Sequence, residues 1–315
     1  MARKRKGDPV SGWIALDKPV GLGSTPAVSR VRRAFNAQKA GHAGTLDPLA
    51  GGVLPIALGE ATKTVPYLMD ADKSYRFTIA WGETTASFDR EGAVTATSDV
   101  RPTADDVARL LPTFVGEIDQ IPPAFSAIKV DGERAYTLAR EGIEVDLKSR
   151  RVTIHRAAVT EAPDADHIEI EIDCGKGVYV RALARDLAIG LGACGHVSSL
   201  TRTRVGAFRL EDAIGLEKLE TMCHTQAGSE VLLPVVTALD DIPALAVTNE
   251  DAFRLSQGRP IVLLPRQVET LKARLASPDG AGYASRTVLA TSGDELVAIC
   301  EMRAGHLGPI RVFNP

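Results

Sequence analysis

The stretch best equipped for chemistry is residues 41–55, GHAGTLDPLAGGVLP. It holds two ionisable side chains, His42 and Asp47, among glycines, prolines and small apolar residues. So dense a mixture of Gly and Pro predicts a cramped loop throughout, neither ordinary helix nor strand. A lone carboxylate at the edge of a packed core is a group whose surroundings can govern its reactivity. By residue type alone Asp47-Pro48 fits a turn as well as it fits a nucleophile or base, because Asx-Pro commonly starts turns.

A second candidate is residues 174–187, CGKGVYVRALARDL. A glycine-rich turn carrying Lys176 leads into a helix from about Val180. Leu183 and Leu187 lie four apart on one side of it, and Arg181 and Arg185 four apart on another. Taken alone, Arg181 reads as a phosphate-facing helix cation. Residues 190–195, GLGACG, fit G-x-G-x-x-G. A dinucleotide loop follows a strand and opens a helix, whereas this one ends a helix, so Gly190 reads as a helix stop. A nucleotide-dependent oxidoreductase is the remote alternative. The cysteines, Cys174, Cys194, Cys223 and Cys300, form no Cys-x-x-Cys pair and no zinc spacing with a His. Cys194 and His196 read as structural, and reduced thiols fit a cytosolic protein.

The elements that must position these groups are legible in part. Gly12–Pro19 reads as a strand and a turn. Ser24-Thr25-Pro26 opens a helix with a hydroxyl cap and an early Pro. Residues 74–81 alternate strictly, with Tyr75, Phe77, Ile79 and Trp81 on one face of a strand. Thr103 to Asp106 reads as a capping box. Residues 152–159 and 167–173 read as strands, the second with Ile168, Ile170 and Ile172 facing a core, as in an antiparallel sheet. Two prolines and a helical 134–141 segment suggest a protruding insertion near 120–150. Leu239–Pro243 looks like a linker. Beyond it come a short helix over 250–258 and β-like runs at 260–264, 286–290 and 296–302.

The 315 residues, 44% hydrophobic and 24% charged, have an ordinary globular balance. The net charge of -3 hides a strong asymmetry. Residues 1–65 carry ten Lys/Arg against four acids, and residues 176–209 carry six against Asp186 alone. Residues 211–251 reverse this with nine acids and only Lys218. A phosphate backbone responds to the local field, so a basic patch for nucleic acid is favoured over evenly solvated charge. A basic tail opens the chain, with no signal-length apolar core and no 18-residue apolar run after it.

Both motifs resemble the catalytic segments of the bacterial tRNA pseudouridine synthases of the TruB type, and the first match is nearly gapless. The resemblance is good over residues 12–210 and loose over 240–315. It implies an α+β catalytic domain with a mixed, largely antiparallel sheet flanked by helices. It also implies a small C-terminal β-rich, PUA-like domain. The expected boundaries are a basic disordered tail at 1–10, catalysis at 11–235 with an RNA-gripping insertion near 120–150, and the PUA-like part at 240–315. The implied activity is isomerisation of the T-loop uridine at tRNA position 55 to pseudouridine. The implied partner is the tRNA T-stem loop, with no cofactor, metal, membrane or protein partner, for a cytoplasmic monomer.

The same resemblance assigns roles. Asp47 is the catalytic carboxylate, and Arg181 its partner, holding it charged and aimed. Tyr75, within KSYR, stacks on the base and is a candidate for taking the last proton from C5. Tyr179 lines the base pocket, and Leu200 sits near it. His42 either stacks under T-loop bases or makes a structural hydrogen bond. Asp89 is a structural or RNA contact rather than a chemical group. Lys129, Arg134, Lys148, Arg150, Arg151 and Lys176 are candidate substrate or phosphate contacts. Two positions depart from the family pattern: Ser87 stands where Thr is usual, and Thr201 where Arg is frequent. A catalytically silent RNA-binding relative would have replaced Asp47 or Arg181, and both are present. A guide-dependent relative would carry extra partner-binding segments.

Overall fold

A computed structural model describes residues 7–126, 129–130, 133–134, 143, 147–225, 227–275, 286–293 and 295–314. Among them a 10-stranded sheet forms the larger body. Its main path runs Ile214–Gly215, Gly12–Lys18, Ala50–Leu58, Gly195–Val205, Lys73–Trp81, His167–Cys174, Arg150–Glu161 and Gly116–Gln120. Ala40–His42 and Phe208–Arg209 pair onto it off this path. Two pairings along the path are parallel: Ile214–Gly215 on Gly12–Lys18, and Gly195–Val205 on Ala50–Leu58. The others are antiparallel. This is the mixed, largely antiparallel sheet of the expected α+β fold.

Side-chain alternation sorts the two faces. Ile168, Ile170 and Ile172 are buried beside Phe77, Ile79 and Trp81 of the neighbouring strand. The intervening Glu169, Glu171 and Asp173 pair with Arg76 and Arg156 on the other face. The apolar face is covered by helices Ser24–Ala34, Ala104–Leu110, Val180–Gly190 and Leu216–His224, whose Val31, Val107, Leu183, Leu187 and Leu219 join the core. A second cluster on the opposite face is anchored by Trp13 against Phe208, with ring centroids 5.4 Å apart. Part of the charge asymmetry is resolved here. Arg30 of the basic first helix grips Glu220 of the acidic segment through both carboxylate oxygens, at 2.8 and 2.5 Å.

The C-terminal part is a 5-stranded sheet in the order Ala244–Ala246, Thr287–Ser292, Glu295–Arg303, His306–Val312, Ile261–Val262. Helix Asn249–Ser256 packs on it, capped by Thr248 and followed by Gly258 at φ +75°. The expected linker is not a free connector. Leu239 and Ile242 are buried with Leu289, Ile299 and Phe313. Lys63 donates to Val312 O at 2.8 Å across the same junction.

Three further expectations need correction. Residues 50–58 are not loop but a central strand, buried along its whole length. It contributes Leu54, Ile56 and Leu58 to one core and Val53 and Ala57 to the other. A strand buried on both faces shows no polar alternation, which is why its sequence conceals it. Ser24 does not cap its helix, whose N-cap is Gly23 without a side-chain bond. Pro265–Leu275, passed over between β-like runs, is a helix that buries Leu271. The capping box at Thr103–Asp106 is formed, and its helix ends at Leu110. Residues 1–6 of the basic tail, and 135–141 of the expected helix in the insertion, lie outside the described residues. Lys129 and Arg134 pair in a short two-stranded ladder. Among the described residues no helix is long and apolar enough to cross a membrane.

Gly52 shows why glycine is required in the buried strand. Its φ is +93°, and a Cβ there would stand 2.3 Å from Arg202 O, a backbone atom that cannot step aside. Gly52→Ala is expected to destabilise the protein by about 2 kcal/mol or more. Urea unfolding against the parent protein measures this, and an unchanged midpoint contradicts it.

Candidate active site

Asp47 sits in the short connection between strands Ala40–His42 and Ala50–Leu58. Seven residues without secondary structure would leave backbone groups unpaired, and the fold supplies partners for them. Ser24 Oγ donates to Leu46 O at 2.9 Å and accepts from Leu46 N at 2.8 Å. The hydroxyl expected to cap a helix therefore clamps the residue before Asp47. Gly21 N donates to Pro48 O, Ala50 N to Asp47 O, and Ala43 N to Pro55 O. Arg202 Nη2 donates to Gly44 O at 3.0 Å, and its Nε to Val53 O at 2.8 Å. Lys18 Nζ holds the chain entering the site through Pro19 O and Leu22 O.

Arg181 projects from the first turn of helix Val180–Gly190. Its Nη2 lies 2.7 Å from Asp47 Oδ2, and its Nη1 lies 3.4 Å from Asp89 Oδ2. Nη1 also donates to Ser87 O at 3.0 Å and Nη2 to Phe125 O at 2.8 Å. The Arg181 side chain is 5% exposed and Asp89 4%, whereas Asp47 keeps 39%. Asp89 is fixed in turn by Ser87 Oγ, at 2.5 Å, and by Glu91 N, at 3.0 Å. The cation is thus held from behind by a buried carboxylate and presents Asp47 forward. Among the described residues Asp47 Oδ1 has no hydrogen-bond partner, which leaves it available to a substrate.

Asp47 lies in a cavity of about 300 Å³. Tyr75, Tyr179, Leu200, Lys73, Ser126 and Arg202 share its wall. Its size is at the lower end of small-ligand pockets. Burial pushes the Tyr75 phenol up from its ordinary value, with the Arg202 charge opposing. A neutral phenol suits a stacking wall better than a proton acceptor. Burial likewise raises the Tyr179 phenol, and the Arg150 guanidinium lies 5.8 Å over that ring. Gln120 holds the Tyr179 backbone in both directions, accepting from its N–H at 2.8 Å and donating to its carbonyl at 3.2 Å. Ser126 is buried beside the Tyr179 phenol.

Asp47, Tyr75, Tyr179, Arg181 and Leu200 are therefore brought together from separate segments. Three other candidates fall elsewhere, and a fourth is outside the described side chains. Asp89 is behind Arg181 and does not line the cavity, so its contacts are internal. His42 does not line it either; burial, with Arg202, lowers its pKa, and a hydrogen bond with the Gly44 backbone opposes this. Lys176 is exposed and pairs with Asp70 at 3.0 Å. The Lys129 side chain lies outside what the structure describes. The basic stretch 176–209 is no uniform RNA face, because Arg181 and Arg202 are buried and Arg185 pairs with Asp186.

Sequence reasoning missed Arg202, Lys18, Lys73 and Ser24 as builders of the site. The one usable signal was strand alternation, which puts Leu200 and Arg202 on one face. His196 bonds the Glu83 carbonyl at 2.9 Å, as its structural reading requires. Strand Gly195–Val205 follows the GLGACG segment, so the dinucleotide pattern has the wrong context in space as well. Among the described residues no cluster of His, Cys, Asp or Glu could hold a metal ion.

Residues 32–180 match the profile of the TruB family pseudouridylate synthase N-terminal domain. Residues 181–241 match that of the tRNA pseudouridylate synthase B C-terminal domain. A tRNA pseudouridine synthase B from Caulobacter sp. (strain K31) is 69% identical over 100% of this chain and 99% of its own length. One from Bradyrhizobium diazoefficiens is 52% identical, covering 97% of this chain and 86% of the relative. Among solved structures, a chain of a Cbf5-Nop10-Gar1 complex superposes with TM-score 0.72 at 25% identity, over 96% of this chain and 85% of that one.

The burial of Asp89 against Arg181 has a measurable consequence. Arg181→Met strands a carboxylate in the interior and is expected to cost about 3 kcal/mol. Adding Asp89→Asn to that variant should restore most of the stability while leaving Asp47 unsupported. Urea unfolding of the single and double variants, alongside activity, checks both halves. Equal stability of the two variants contradicts the arrangement.

Proposed function

The chain belongs to the TruB family of tRNA pseudouridine synthases, and on that premise we propose that it isomerises the T-loop uridine 55 of tRNA, using Asp47 and no cofactor. The observation that carries this reading is the Asp47–Arg181 pair at 2.7 Å, set in a cavity walled by Tyr75, Tyr179 and Leu200. The reaction breaks the N1–C1′ glycosidic bond, turns the base and forms a C5–C1′ bond. Atoms and electrons balance without an oxidant, a metal or a nucleotide. Three things are needed: a carboxylate at the sugar, a surface for a detached base, and removal of the base from its stack.

Asp47 Oδ1 faces the substrate while Oδ2 stays on Arg181. Attack at C1′, attack at uracil C6 and proton abstraction at C2′ all begin from this one carboxylate. Arg181, fixed by Asp89, Ser87 O and Phe125 O, keeps Oδ1 forward through the cycle. Tyr75 stacks on the base, and Tyr179 and Leu200 close its other sides. Arg150, over the Tyr179 ring, stands at the rim as a phosphate contact, and Arg134, Lys148, Arg151 and Lys129 extend the grip. The division of labour follows: residues 11–235 for catalysis and 240–315 as a PUA-like RNA-binding part. The protein works alone on the T-stem loop, in the cytoplasm where tRNA is used. Relatives of matching length that are named tRNA pseudouridine synthase B support this over a guide-dependent assembly.

Incubating unmodified tRNA transcript with the purified protein, without additives, should yield pseudouridine at the T-loop uridine in many turnovers. Asp47→Ala should lower the rate by about a thousandfold or more while tRNA still binds. Product from Asp47→Ala at the parent rate removes Asp47 from the mechanism. No product from the parent protein, with tRNA bound, moves the reading to a silent RNA-binding relative.

A further inference from the structure

Lys73 opens the strand that carries Tyr75 and lies two residues before it, so both side chains leave the same face of the sheet. Lys73 is 7% exposed and lines the cavity together with Asp47 and Tyr75. Its ammonium has three protons to donate. One goes to Met69 O at 2.6 Å and one to Ala71 O, both at the end of helix Val65–Asp70. Among the described residues nothing accepts the third proton, and no carboxylate forms an ion pair with Nζ. A buried ammonium short of a partner is costly, and its open side is the cavity. The two other buried cations of the cavity wall differ. Arg181 is spent on Asp47, Asp89, Ser87 O and Phe125 O, and Arg202 on Val53 O, Gly44 O and Tyr75.

We infer that Lys73 is a further catalytic residue, whose Nζ hydrogen-bonds a carbonyl oxygen of the uracil stacked on Tyr75 and stabilises the negative charge the base carries when its bond to the ribose breaks. The inference rests on the function proposed above. On glycosidic cleavage the electron pair of the N1–C1′ bond goes to uracil N1 and spreads over O2 and O4. After the base turns, C5 bonds to C1′, C5 loses its proton and N1 gains one. Lys73 keeps its proton throughout and contributes a fixed charge-assisted hydrogen bond. Such donors are effective where charge develops inside a low-dielectric site. A route through C6 places the same charge on the carbonyls, so the role does not depend on which atom Asp47 attacks.

The groups facing Lys73 also set its titration. Burial lowers it from the ordinary lysine value to about 8, and Arg202 of the adjacent strand adds to this. Cys174, Asp70 and Asp72 act in the opposite direction. The Cys174 thiol is itself pushed up to about 12 by burial. The free enzyme therefore loses the ammonium as pH rises through about 8, and activity should fall with it.

The test is single-turnover pseudouridine formation by the parent protein, Lys73→Met, Lys73→Arg and Lys18→Arg. The substrate is tRNA with uridine, 2-thiouridine or 4-thiouridine at the target position, and tRNA affinity and thermal unfolding are measured alongside. Lys73→Met should be about 100-fold slower, bind tRNA almost as well and lack the alkaline limb near pH 8. Lys73→Arg keeps the charge and the helix-end donors, so it should fold, retain part of the rate and show no such limb, because a guanidinium does not titrate there. One thio substitution should slow the parent yet add little to Lys73→Met, since both remove the same hydrogen bond. The inference is overturned if Lys73→Met keeps the parent rate. It is also overturned if the limb persists in Lys73→Arg but is lost in Lys18→Arg, since Lys18 near Asp47 is lowered to about 8 as well, or if both thio substitutions slow the Lys73 variants as much as the parent. A parent protein that makes no pseudouridine at all would overturn the underlying function with it; an active parent and an unchanged Lys73→Met overturn this inference alone.

Discussion

A single guanidinium organises the site. Arg181 is buried, always charged and planar, and a cation taken out of water has to be met on all sides. Its partners come from three segments distant in sequence: Asp47, the Ser87–Asp89 turn and Phe125. Each supplies an oxygen in the direction of one N–H. A lysine would offer one nitrogen where the structure uses two. The arrangement explains why one of two nearby carboxylates is buried while the other faces the cavity. Asp89 balances and orients the cation, so Asp47 can be held without being enclosed.

Around that pair the fold spends its backbone on rigidity. The segment holding Asp47 is short and rich in small residues, yet it is clamped by Ser24, Gly21, Arg202 and two of its own carbonyl contacts. The strand that follows it, Ala50–Leu58, is buried on both faces and cannot shift without opening two cores at once. Close approach at Gly52 brings Arg202 near enough to bond Val53 O and Gly44 O. Arg202, Lys18 and Lys73 are all buried near the cavity, and burial lowers both lysines to about 8. Most of their donors go to backbone carbonyls rather than to carboxylates, so the charge is not cancelled locally. The interior beside Asp47 is therefore positive, which favours an anionic substrate and an anionic base.

The charge asymmetry read from the chain had a less direct meaning than a basic face against an acidic one. Arg181, Arg185 and Arg202 fall in the basic stretch, and all three have internal partners. Glu220 of the acidic stretch holds Arg30 of the first helix. Linear density of charge does not reveal which side chains a fold will bury. The exposed face of the central sheet is instead laced by cross-strand pairs such as Arg76–Glu171 and Arg156–Asp173.

Where local pattern and final environment agree, the sequence was sufficient. Strict alternation gave the strands read at 74–81 and 167–173, which the structure extends to Lys73–Trp81 and His167–Cys174. The i, i+4 leucines gave the helix carrying Arg181, and Thr103–Asp106 gave a cap, because these features depend on neighbours a few residues away. The motif resemblance gave Asp47, Arg181, Tyr75, Tyr179 and Leu200, and the structure lines one cavity with all five. Tertiary structure decided the rest. It made a strand of a Gly/Pro-rich run because burial on both faces removes the alternation that marks strands. It turned Ser24 from a helix cap into a clamp on Leu46, placed Asp89 behind the guanidinium, and drew Arg202 and Lys73 to the cavity wall from two separate strands, with Lys18 buried nearby. The buried guanidinium groups of Arg181 and Arg202 are met by partners from distant segments, and that meeting is a property of the packed chain, not of any stretch within it.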